Sequence, residues 1–96
     1  MTEIGHFHVG TPEQRFFSAE LRGFMERAHA QGLGAGEAAS CAVCIAGYIV
    51  GAFIPDEHRA RVVAQLAEVL ERKAEQAVGE AERDRAAGRL LSPKPR

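Results

Sequence analysis

The sequence predicts an all-α protein, a small three-helix antiparallel bundle with a short extended N-terminal arm. Three observations carry this. Thr11-Pro12-Glu13-Gln14 is a helix start, and apolar residues recur behind it at the helical period. Residues 38–54 (AASCAVCIAGYIVGAFI) carry no charge and run too long for an ordinary strand. Pro55 ends that run, and a second amphipathic period begins at once. The expected helices are 12–30, 36–54 and 56–78, within one domain spanning 1–96.

Residues 1–10 (MTEIGHFHVG) are short and Gly-bounded, too brief for a sheet, and read as the arm. In the first helix Thr11 suits the N-cap and Pro12 the first helical position, with Gln14 where a capping box places Glu or Gln. Phe17, Leu21, Phe24, Met25 and Ala28 form its apolar stripe, and Glu20, Arg22, Glu26 and Arg27 lie off it. Phe16 falls outside the stripe. Gly32, Gly34 and Gly36 mark the break after Ala30. The second helix has Ser40 and the Tyr48 hydroxyl as its polar groups. Its length sits at the lower edge for a membrane span, but Ala and Gly are frequent, so it reads as the centre of the core.

The third helix opens with Asp56 and Glu57, which suit the positive end of its dipole. Val63, Leu66, Leu70, Ala74, Ala77 and Ala81 share one face, which Val62 and Val69 broaden. Gly79 and Gly88 each weaken a helix by roughly 1 kcal/mol relative to Ala, and charges return beyond Ala81. Residues 80–96 therefore read as a solvated extension and loose tail. The expected core comprises Leu21, Phe24, Val43, Gly47, Val63, Leu66 and Leu70.

Composition narrows the function classes. The chain has 96 residues, 46% of them hydrophobic, and a net charge of −1 from 12 basic and 13 acidic residues. A nucleic-acid binder or a polybasic membrane anchor needs a basic excess that is missing here. Abundant Arg, Ala and Gly suit a GC-rich bacterial or phage genome. The first ten residues have no apolar segment behind a basic start, so a cytoplasmic location with reduced thiols is expected.

Few residues nominate chemistry. Cys41 and Cys44 form a Cys-x-x-Cys motif inside the apolar helix. Thioredoxin-like motifs of this spacing open a helix after a strand, so the expectation here is two small core residues, reduced, metal-free and slow to react. The alternative is a zinc site in which His6 and His8 of the arm join Cys41 and Cys44, although the spacing is not that of a familiar finger. His29 near a helix C-terminus is explained by the dipole, and neither it nor His58 has an evident catalytic neighbour. Gly47 and Gly51 make a Gly-x-x-x-Gly pair, a smooth patch where a second helix can approach closely.

The functional expectation follows by elimination. The chain is expected to be no enzyme and to need no cofactor. It is expected to act as a small protein–protein interaction module, an adaptor, regulator or inhibitor. Its partner is itself, as a homodimer, or another protein. Two amphipathic neighbours should leave one side of a fully apolar helix open. Phe16, Gly47, Tyr48, Ile49, Gly51, Val62 and Val69 are the expected contact residues.

Overall fold

A computed structural model describes residues 10–88. The fold is all-α, of the three-helix bundle class, with α1 at Pro12–Ala30, α2 at Ala35–Phe53 and α3 at Asp56–Ala86 and no strand among the described residues. The expected arm lies outside the described residues.

Each helix end has a local cause. Thr11 Oγ1 accepts from the Gln14 backbone N–H at 3.2 Å, and Gln14 Oε1 accepts from the N–H of Gly10 at 3.4 Å. This resembles a capping box shifted by one residue. At the other end of α1, Gly32 has φ 73°. Its N–H donates to the His29 carbonyl, and the Leu33 N–H donates to that of Ala28, both at 3.0 Å. This is a Schellman stop, which glycine adopts without the Cβ clash of left-handed backbone. Gly34 then starts α2: its carbonyl accepts from Ala38 N–H, and its own N–H donates to Glu37 Oε1 at 3.0 Å. The Ile54 N–H donates to the Val50 carbonyl before Pro55 forces the turn. Arg59 pairs with Asp56 in the first turn of α3. Arg61 Nη2 lies 3.0 Å from His58 Nδ1 in the same turn.

α3 continues to Ala86, eight residues past the expected stop. Gly79 does not break it, because Glu, Ala and Arg on both sides are good helix formers. Arg83 and Arg85 in the last turn suit its dipole, and Gly88, with φ 73°, closes it by donating to the Arg85 carbonyl.

The described chain divides into two compact units, one within residues 6–44 and the other within 45–90, with the boundary inside α2. In the first unit, burial is concentrated at the α1–α2 corner. Ala28 and Ala38 retain 5% and 3% exposure, Gly34 is buried and Leu33 half-buried. In the second unit, Val50 is the buried apolar residue, at 7%. Along α3 the half-buried Arg59, Val62, Leu66, Val69 and Lys73 recur at helical spacing and form one covered line.

This burial corrects the expected core. Among its named members Phe24 and Leu66 are half-buried, whereas Leu21, Val43, Gly47, Val63 and Leu70 are exposed. The physical reason is the number of neighbours. In each unit two helical segments meet along one line, so only the facing side chains and the corner residues lose their water. The rest of an apolar circumference stays open.

Candidate interaction surface

The second unit carries the larger open apolar surface. In the last two and a half turns of α2, Ile45, Tyr48, Ile49 and Phe53 are exposed, Tyr48 at 71% and Phe53 at 72%. Taking about 100° per residue, Tyr48, Ala52 and Ile45 lie on the side opposite the buried Val50. Ile49, about 100° from Val50, widens that side, and Phe53, about 60° from Val50, continues the same edge toward the buried residue. The Tyr48 and Phe53 rings meet edge to face, with centroids 6.5 Å apart and planes at 71°. Such a pair is favourable beyond its buried area, and it holds two large side chains in place before any partner arrives. Aromatic anchors of this kind dominate the energetics of protein interfaces.

Gly47 and Gly51 are also exposed, and a Cβ built on either meets nothing within 4 Å. The pair is therefore not a contact inside the second unit, where close helix packing had been the simplest reading. It flanks the Tyr48 side and leaves the α2 backbone open to close approach. Val62 and Val69 lie on the half-covered line of α3, so less of them is available than of Val63 and Leu70 beside them. Periodicity had grouped all four, and it does not show which edge of a broad apolar face turns inward.

Phe16 belongs to the first unit and is 70% exposed. Cys41 and Cys44 are free and exposed, which corrects their expected place in a core. The side of α2 that carries them is left uncovered, for the reason given above. Cys41 also borders a shallow depression lined by Leu33, Gly36, Glu37 and Ser40. His6 and His8, the other half of the alternative zinc set, lie outside the described residues. Among the described residues no three His, Cys, Asp or Glu side chains come together in a metal-binding group.

α2 as a whole is long and apolar enough to cross a membrane, with a mean hydropathy of 1.5 over its 19 residues, and little of it is buried. Side-chain chemistry qualifies that number. Val43, Ile45, Ile49, Val50 and Phe53 are its strongly lipophilic members, and it has no Leu. At about −0.3 to −0.6 kcal/mol each, these five supply roughly −1.5 to −3 kcal/mol toward insertion. Three glycines, Ser40, Tyr48 and Glu37 oppose it. Small residues alternating with a few bulky ones suit helix-to-helix contact better than lipid.

No protein-family model matches the chain, and comparisons with curated proteins and with solved structures return no match.

Proposed function

We propose that the chain is a small, non-catalytic protein–protein interaction module that works by covering the open side of α2 with another polypeptide. The observation that carries this reading is the exposure of Ile45, Tyr48, Ile49 and Phe53 on an uncharged helix. Water-soluble monomers rarely leave such a contiguous apolar surface bare. Among the described residues few apolar side chains are fully buried, and such a module gains stability on association. The rim is suitable too: α3 carries mixed charges of both signs, which orient a partner without repelling one.

The membrane reading is weighed against this one by the insertion arithmetic above. One experiment separates them. The purified full chain is mixed with lipid vesicles and floated, and the unbound fraction is examined by light scattering after gel filtration. A protein module stays with the aqueous fraction at a mass above the chain's 10.4 kDa. Flotation with the vesicles, or a folded 10.4 kDa monomer in the aqueous fraction, overturns the proposal.

A further inference from the structure

The Cys-x-x-Cys pair lies outside the surface formed by Ile45, Tyr48, Ile49 and Phe53. Cys41 and Cys44 stand three residues apart in the part of α2 that belongs to the first unit. Both thiols are free and exposed. At about 100° per residue they lie about 60° apart around the helix and nearly one turn apart along it, so they share one face. Their neighbours are small: Ser40 and Ala42 flank Cys41, and both are exposed. Gly36 borders the same shallow depression as Cys41, and a Cβ built on it meets nothing within 4 Å. A small ion therefore has an open approach to this face.

We propose that Cys41 and Cys44 together bind one monovalent copper ion as a two-coordinate bis-thiolate. Distance is the first argument. Side chains three apart on a helix have Cβ atoms about 5–6 Å apart. A disulfide needs them about 3.5–4.5 Å apart, so closing one here requires the helix to deform. Two thiolates on one ion, at about 2.3 Å each, hold their sulfurs up to about 4.6 Å apart. A sulfur–metal–sulfur bridge spans the pair on an undistorted turn; a direct sulfur–sulfur bond does not.

Donor chemistry is the second argument. Thiolates are soft ligands and select soft ions. Zinc closes a structural site with four ligands, and among the described residues no third His, Cys, Asp or Glu joins this pair in a group. Glu37, one turn before Cys41, accepts from the Gly34 N–H, and its carboxylate is a hard ligand. Monovalent copper, soft and singly charged, is satisfied by two thiolates. Binding replaces each S–H bond by a sulfur–copper bond and releases both protons to water. The copper stays monovalent, so no electron is transferred. The bound form carries one negative charge, on a face open to solvent.

Copper(I) itself is the probe, added to the reduced full chain under nitrogen in competition with a chromophoric copper(I) chelator. The parent should take up one ion per chain. Cys41→Ser and Cys44→Ser should each weaken binding about a hundredfold or more, because the second thiol no longer acts at the high effective concentration that one helix turn gives it. Two double variants keep two thiols. Ser40→Cys with Cys41→Ala spaces them by four residues on one face and should bind within about tenfold of the parent. Ala42→Cys with Cys41→Ala sets them about 160° apart and should bind as weakly as the single variants. All these positions are exposed, so circular dichroism should show the same helix content throughout. Equal affinity of the two double variants overturns the shared face. Parent binding no tighter than that of Cys41→Ser overturns the site, as does zinc(II) held in preference to copper(I). An intrachain Cys41–Cys44 disulfide that forms on mild oxidation with the helix intact overturns the spacing on which the ion depends.

Discussion

Phe53→Ala separates an assembled module from an isolated one by magnitude. Phe53 is 72% exposed within its own chain. A fully withdrawn Phe contributes about 1.5–3 kcal/mol, so the covered part is worth roughly 0.5–1 kcal/mol. Losing the edge-to-face contact with Tyr48 adds about 0.5–1.5 kcal/mol. Ala is the better helix former by roughly half a kcal/mol, which offsets part of this. The isolated chain should therefore lose about 1 kcal/mol. If a partner covers Phe53, truncation of a buried Phe costs roughly 3–5 kcal/mol per chain. Urea denaturation followed by circular dichroism, at two protein concentrations about a hundredfold apart, reads the difference. The expected result is the larger loss, with a midpoint that rises with concentration in the parent protein. A loss near 1 kcal/mol that is the same at both concentrations would refute the reasoning.

Other outcomes follow from the same geometry. Tyr48→Glu and Ile49→Glu should each lower the mass seen by sedimentation, whereas Arg83→Glu near the end of α3 should not; equal behaviour of all three would move the contact elsewhere. Gly47→Ala fills space that the chain itself leaves empty, a gain of up to about 1 kcal/mol for a solitary helix. With a partner against α2 it should instead weaken association, and a variant more stable at every concentration would place Gly47 outside the contact. Gly32→Ala forces a side chain into left-handed backbone at φ 73° and should cost about 1 kcal/mol in urea without a change in slope. Cys41 and Cys44 are exposed, so both thiols should react with a thiol reagent in native protein diluted to favour single chains. Labelling that waits for denaturant would return them to a core.

The sequence by itself determined the helices, because their signals are local. Thr11, Pro12 and Gln14 start α1, Pro55 separates α2 from α3, and the helical period of α1 and α3 follows from residues three and four apart. Gly88 was a local signal as well, but its helix-stopping geometry is visible only once the chain is seen to remain helical through Gly79. Tertiary structure alone decided which apolar residues lose their water. The run 38–54 reads as a core because it lacks charge, yet lack of charge shows only that burial is tolerated, not that neighbours exist to provide it. Val62 and Val63 are adjacent in sequence and alike in chemistry, and the covered line of α3 includes one and passes by the other. The same holds for Cys41, Cys44 and Gly47, whose surroundings depend on how many helices meet α2 and on which side. Residue periodicity fixes a face; only packing between helices sets how much of that face is filled.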